Sequence, residues 1–210
     1  MPDQEPHEPT ADEASAPTRK RPKPGERRLQ ILQTLAAMLE QPGAERVTTA
    51  GLAAKIGVSE AALYRHFASK AQMFEGLIDF VDQSTMGLIR QVTDRDPPGP
   101  QQAGRIVALL FQFAEKNPGM SRVMIGDALV LEHERLQERI NLLFDKIEAQ
   151  LRQTLKTSDS TTSATSSIAD AQVTASVLVA FMQGRLQRFA RTGFKRLPSE
   201  HLQAALARVL

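Results

Sequence analysis

The stretch Thr48 to Lys70, reading TTAGLAAKIGVSEAALYRHFASK, constrains this chain more than any other. Two short apolar runs face each other across Gly57, with Leu52, Ala53 and Ile56 on one side and Ala62, Leu63 and Phe67 on the other. Neither run is long enough to be stable as an isolated helix, so each needs the other and a support beneath them. Gly57 suits the left-handed conformation that ends the first helix, Ser59 suits the N-cap of the second, and Ala53 permits close backbone approach. The pattern is that of a helix-turn-helix, with an ordinary buried helical hairpin as the plainer alternative.

The second helix of the pair, Ser59 to about His66, presents a small, polar N-terminal face of Ser59, Glu60, Ala61 and Ala62, followed by Tyr64 and Arg65. Such a face admits close approach to base edges in a major groove. Thr48 or Thr49 caps the preceding helix and Ser69 the following one. Their hydroxyls, the adjacent amides, Tyr64, His66 and Lys70 suit contacts to the phosphate backbone, and Arg65 suits either purpose.

Charge points the same way. Residues 1 to 18 hold five acids and no Lys or Arg, residues 19 to 70 hold ten bases and four acids, and the remainder is nearly balanced. A net charge of +2 for the whole chain therefore conceals a basic segment that coincides with the motif, the electrostatic footprint of a polyanion partner. Within residues 1 to 24, the cluster Arg19, Lys20, Arg21 and Lys23 reads either as an arm lying on DNA or as a solvated tail.

The run GVSEAALYRHFASK resembles the DNA-binding signature of the TetR family of transcriptional regulators, in which a Tyr-x-x-Phe pair, here Tyr64 and Phe67, precedes a short turn and a Lys. Further stretches, ILQTLAAMLE, RLQERINLLFDKIEAQLRQTL and FMQGRLQRFARTGFK, resemble the nucleoid-occlusion branch of that family. The resemblance implies an all-α fold with a three-helix DNA-binding unit at 25–70 and a larger C-terminal dimerisation and partner-binding domain at 71–210. It also implies a near-palindromic site in double-stranded DNA, a homodimer or higher assembly on that DNA, and no cofactor. In that branch, DNA binding activates engagement of the tubulin-like division protein FtsZ, and the matching positions are Leu88, Leu109, Lys116 and Asn117. A capped turn is the bland reading of the last two. The alternative function is that of a ligand-responsive repressor, whose pocket the Met and Phe side chains would line.

Helical periodicity supports the all-α expectation independently. Glu26 to Glu40 carries Ile31, Leu32, Leu35, Met38 and Leu39 on one face. Ser69 to about Thr93 reads as a long helix joining both lobes, broken by the prolines of Asp94 to Pro100. Helices are expected at Ala103 to Lys116, Met120 to Gly126, Leu129 to Lys156, Ile168 to Arg191 and Ser199 to Leu210, with a mobile loop at 157–167. Phe181, Gly184 and Phe189 are expected at a dimer interface built from the last two helices, as such regulators dimerise. For Gly184 a plain core helix is the alternative.

No catalytic or metal set emerges. Glu134 and Glu138 lie among Arg135, Gln137 and Arg139, the composition of a solvated helix face. His133 and Glu134 begin a zinc-protease-like string, but Gln137 stands where the second His belongs. The four histidines are scattered, no Cys is present, and no apolar run reaches the roughly 20 residues that span a bilayer. A protein that is soluble, cytoplasmic and nucleoid-associated is expected.

Overall fold

The computed structural model describes residues 25–41, 47–130, 132–156 and 164–210, with the side chains of 164–168 left aside. The basic cluster at 19–23, most of the turn at 41–46 and the greater part of the 157–167 loop lie outside them. The described chain is helical: α1 (Glu26–Leu39), α2 (Thr49–Ile56), α3 (Glu60–Tyr64), α4 (Lys70–Thr93), α5 (Pro100–Lys116), α6 (Pro118–Met124), α7 (Glu134–Leu155), α8 (Ala164–Arg191) and α9 (Leu202–Leu206), with a single 3₁₀ turn at Asp127–Leu129.

α1 buries Ile31, Leu35 and Leu39, one face at helical spacing, beneath α2 and α3. Those two short helices bury Leu52, Ala53 and Leu63, and Phe67 just beyond α3 is 1% exposed. The four large side chains Ile31, Leu35, Leu63 and Phe67 thereby supply the stability that helices of eight and five residues lack.

The apolar core runs continuously from Ile31 of α1 to Leu206 of α9, through the two lobes that the sequence joins by one long helix. α6 makes the connection. A Cβ on Gly119 would stand 2.2 Å from the Ala36 carbonyl oxygen, so only glycine lets α6 lie against α1 this closely. α4 is the second connection. Its Met73, Phe74, Leu77, Ile78 and Val81 are each at most 2% exposed, and the helix passes from the base of the helix-turn-helix unit into the C-terminal body.

Several helix boundaries differ from the periodicity reading for identifiable reasons. Pro100, counted among the prolines that break α4, and Pro118, which follows α5, are first-turn residues of α5 and α6, where the missing N–H costs nothing. α7 starts at Glu134 instead of Leu129, because Gly126 turns the chain at φ 77° and His133 caps the helix with Nδ1 accepting from the Arg135 N–H at 3.3 Å. α8 begins at Ala164, four residues into the expected loop. The final helix contracts to Leu202–Leu206, since His201 adopts a left-handed backbone (φ 55°) and Ser199 N–H is held by Glu115 Oε1 at 2.9 Å.

A ladder of ion pairs clamps α4 along the outside of α7. Its rungs are Lys70 with Glu132 just before α7, Glu75 with Arg135 at 2.8 Å, Asp79 with Arg139, and Asp82 with Lys146 at 2.7 Å. α7 in turn packs antiparallel against α8, where Gln172 bridges Glu148 and Arg152.

Candidate nucleic-acid and partner interfaces

The helix-turn-helix is built by its caps. Thr48 Oγ1 accepts from Gly51 N–H at 3.1 Å, and Gly57, left-handed at φ 77°, donates to the carbonyls of Ala53 and Ala54. Ser59 Oγ accepts from Ala62 N–H at 3.3 Å and starts α3. Thr49 donates to Glu60 Oε2 at 2.7 Å, tying the first turn of α2 to the first turn of α3 across eleven residues of sequence. Glu60, itself exposed, is thus held by Thr49, and the other exposed positions of the α3 face are Ser59, Ala61, Tyr64 and Arg65. Ala62 is half-buried, while Thr48 and His66 are exposed on the flanks.

The end of α3 has a clamp that periodicity did not disclose. The Arg28 guanidinium lies 4.0 Å from the Phe67 ring centroid and donates to the His66 carbonyl at 2.9 Å. A cation held over the ring and a charge-assisted hydrogen bond both fix the turn after α3 to α1. An Arg in the first turn of a support helix carries no sequence signal of this kind; only the fold brings residues 28 and 67 together.

Ser69 caps α4, accepting from Gln72 N–H at 3.2 Å, and Gln72 Oε1 accepts from Ala68 N–H at 2.8 Å in a reciprocal cap. Lys70, beside this N-terminus, is paired with Glu132, and its ammonium lies 5.7 Å from the Phe74 ring. The pair is half-withdrawn from solvent, at 30% and 13% side-chain exposure. Thr48, the α3 face, His66, Ser69 and Lys70 therefore gather at one end of the molecule, on three consecutive helix starts and the turn between them.

A second surface forms where α4 meets α5. Leu88 and Leu109 are half-buried against the core, Lys116 is exposed, and Asn117 is half-buried with Nδ2 donating to the Phe113 carbonyl at 2.7 Å. Phe80, which the sequence reading passed over, is 48% exposed here and packs against Phe113 at 6.2 Å between centroids. Phe80 lies off the buried stripe of α4, and a large aromatic out of phase with that stripe is the signal to look for. Together with Leu29, Leu32, Leu77, Asn117 and Met120 it lines a groove of about 280 Å³ between α1, α4 and α6.

On α8, Val173 and Val177 are 63% and 46% exposed, and Gly184 opens onto empty space on the same helical face. Phe181 is half-buried, 5.9 Å from Phe111 and beneath the Arg185 guanidinium at 5.0 Å. Phe189, expected at a dimer interface, is 1% exposed and packs on Phe194 at 5.1 Å. Its ring belongs to the core of its own protomer, because it points away from the face that carries Val173, Val177 and Gly184. Met73, Met120, Met124, Met182, Phe74 and Phe111, candidate liners of a ligand pocket, are each at most 3% exposed and contribute to the packed core. Glu134 and Glu138 are exposed on α7.

Family comparisons agree with this anatomy. Residues 31–77 match the family model described as bacterial regulatory proteins, tetR family, and residues 102–208 match the SlmA-like model described as tetracyclin repressor-like, C-terminal domain. The chain is 48% identical over 178 residues to the nucleoid occlusion factor SlmA of Idiomarina loihiensis, covering 85% of this chain and 90% of that one. It is 46% identical over 182 residues to SlmA of Vibrio vulnificus, covering 86% and 92%. Among solved structures, a TetR-like transcriptional regulator from Rhodococcus sp. RHA1 superposes with a TM-score of 0.66 at 17% identity, over 90% of this chain and 97% of that one. FadR of Bacillus subtilis, solved with stearoyl-CoA, gives 0.64 at 12% identity, over 86% and 96%. The likeness to these two is one of fold alone.

Proposed function

The chain belongs to the TetR family of bacterial regulators, among the nucleoid occlusion factors of the SlmA type, and from that premise we propose that it binds DNA as a homodimer and, so bound, engages FtsZ and blocks division-ring assembly over the chromosome. The observation that carries the reading is the span of α4. Its first residue, Lys70, lies among the candidate phosphate contacts, and its middle, from Phe80 to Leu88, forms half of the α4/α5 surface. One rigid helix thereby connects the two sites, as coupling between a DNA effector and a protein partner requires.

In this reading, Ser59, Ala61, Ala62 and Arg65 approach base edges while Thr48, Tyr64, His66 and Lys70 hold phosphates. Thr49 and Glu60 act on each other first, and shape the α3 approach. Two copies pair along α8 through Val173, Val177, Phe181 and Gly184, which sets the separation of the two α3 helices to that of a near-palindromic site. FtsZ is met by Phe80, Leu88, Leu109, Lys116 and Asn117. The protein acts where the DNA is, on the nucleoid.

The test measures FtsZ polymers by light scattering and sedimentation, with and without a duplex the protein binds specifically. Depolymerisation that needs the duplex, and that Lys70→Ala reduces by weakening DNA binding, is the expected result. Indifference of FtsZ under both conditions sinks the reading and leaves a small-molecule-responsive repressor as the alternative to pursue.

A further inference from the structure

The C-terminal end of α8 carries positive charge that the helix-turn-helix does not use. From Arg185 to Glu200 the chain holds five bases, Arg185, Arg188, Arg191, Lys195 and Arg196, against one acid, Glu200. That carboxylate is shared: Oε2 lies 3.7 Å from Arg188 and 3.8 Å from Arg196, while the Glu200 carbonyl accepts from Arg185 at 2.7 Å. Arg191 and Lys195 are exposed, and among the described residues neither has an ion-pair partner. The Arg185 guanidinium is held below the ordinary arginine range, by burial first and then by the Arg188 charge, with Glu200 opposing. The charge here is in excess of what the fold neutralises.

The scaffold that presents these bases is fixed. α8 ends with Phe194 in the left-handed region at φ 64°, its N–H donating to the Phe189 carbonyl at 2.9 Å and that of Gly193 to Ala190 at 3.1 Å. This is a Schellman closure with Gly193, left-handed at φ 61°, at the usual glycine position, and Phe194 follows it in the same region, a conformation an L side chain holds only when packing compensates. The compensation is visible: the Phe194 ring meets Phe189 edge-on and lies 5.5 Å beneath the Arg122 guanidinium. Thr192 Oγ1 then receives the Arg196 N–H at 3.1 Å.

The topology sets the direction in which the tip points. Lys70 paired with Glu132 puts the start of α7 at the DNA-facing end of α4, and α8 runs antiparallel to α7, so the last turn of α8 returns to that same end. Arg122, over Phe194, belongs to α6, which lies against α1 of the helix-turn-helix unit at Gly119. Arg188 and Arg191 also continue the exposed face of Val173, Val177 and Gly184, at steps of four and seven from Gly184. Pairing along that face brings the tips of two copies together on the two-fold axis.

We propose that this tip is a second DNA contact: in the dimer, Arg188, Arg191, Lys195 and Arg196 of both subunits form a central basic surface facing the sugar–phosphate backbone between the half-sites. It rests on the reading of the protein as a DNA-binding dimer, and adds to it a base-independent contact on the axis. Guanidinium and ammonium groups without base-reading geometry neutralise phosphates and release counterions, strengthening every duplex alike. Bases within a Debye length of the backbone, about 8 Å at physiological salt, contribute in this way.

The test uses the full-length dimer with Arg191→Gln and Lys195→Gln combined, neither residue being engaged in an ion pair among the described residues. Fluorescence anisotropy across a salt series measures binding to a specific duplex spanning both half-sites and to a scrambled duplex of equal length. The double variant is expected to bind both about tenfold more weakly at physiological salt, with an unchanged ratio between them. Four bases are lost per dimer, each worth about 0.9 in the slope of log affinity against log salt, so the slope is expected to fall by up to about 3.6. Arg191→Lys, which keeps the charge, retains the slope. Lys195→Glu, outside α8, gives the same direction of change should the double variant no longer dimerise in sedimentation. Wild-type affinity and slope in the variants, with specific binding by the wild type intact, overturn the proposal alone. A wild type that prefers no duplex overturns the DNA-binding reading with it. Unchanged DNA binding with lost sedimentation on phosphatidylglycerol vesicles overturns it in favour of a lipid surface.

Discussion

Glu132→Gln is expected to tighten DNA binding, although residue 132 is itself no DNA contact. In the structure the Lys70 ammonium is occupied by Glu132, 62 residues away in sequence. If Lys70 holds a phosphate on DNA, that pair must open first, and its worth is subtracted from the binding energy. Exposed pairs contribute ~0.2–1 kcal/mol, and breaking a buried pair by removing one partner costs more because the other charge is left unpaired. With side chains 30% and 13% exposed, a value of about 1 kcal/mol is the right order. Glutamine keeps the shape and removes the attraction, so each subunit gains about fivefold and a dimer, releasing two pairs, about 30-fold. Anisotropy titration of a specific duplex at fixed salt measures it. Removing an acid near DNA strengthens binding by general electrostatics too, so the decisive comparison is in a Lys70→Ala background. There, Glu132→Gln is expected to give only the smaller general gain, the part due to freeing Lys70 being absent. Equal gains with and without Lys70, or no gain in the wild-type background, refute the competition.

Gly119→Ala drives a Cβ to within 2.2 Å of the Ala36 carbonyl. Because the obstacle is backbone, a loss of about 3 kcal/mol and a fall in melting temperature on the order of 10 °C are expected by calorimetry; a stability within 0.5 kcal/mol of wild type would show that α1 and α6 separate easily. Val173→Glu with Val177→Glu places charges on exposed positions, so circular dichroism should be unchanged while sedimentation equilibrium shows monomer and DNA affinity collapses. Phe189→Ala, by contrast, removes a ring that is 1% exposed and should cost about 3–5 kcal/mol of stability in denaturant titration. Arg28→Ala removes the clamp on the turn after α3 and is expected to weaken specific DNA binding severalfold, with ~1–2 kcal/mol lost from stability; unaltered binding would place the clamp outside function.

Local chemistry was sufficient for everything that depends on neighbours in sequence. Gly57, Thr48, Ser59 and Ser69 declare the turns and caps of the helix-turn-helix, and each was found with its expected hydrogen bonds. The buried faces of α1, α4, α5 and α7 follow from 3.6-residue periodicity, since a helix in a small core has one apolar side. Periodicity overran where single residues decide: His133 and Gly126 delay α7, and the left-handed His201 shortens α9. Pro100 and Pro118 look alike in sequence whether they break a helix or begin one.

Contacts between residues far apart in the chain were decided only by tertiary structure. Arg28 over Phe67, Lys70 with Glu132, and Gly119 against Ala36 span 39, 62 and 83 residues of sequence, and nothing local marks any of them. The fate of the aromatics on α4 and α8 has the same origin. Phe80 and Phe189 carry similar apolar surface, and hydrophobicity asks only that it be buried, without saying in what. Packing against the rest of the fold left Phe80 outside, on a surface a partner can use, and drew Phe189 into its own protomer. Sequence by itself determined the helices, their caps and the charge that attracts DNA, because these arise within a few turns of chain. Which charges oppose one another, how the DNA-binding unit joins the body, and which apolar side chains remain free for a partner depend on where α1, α4, α6 and α8 meet.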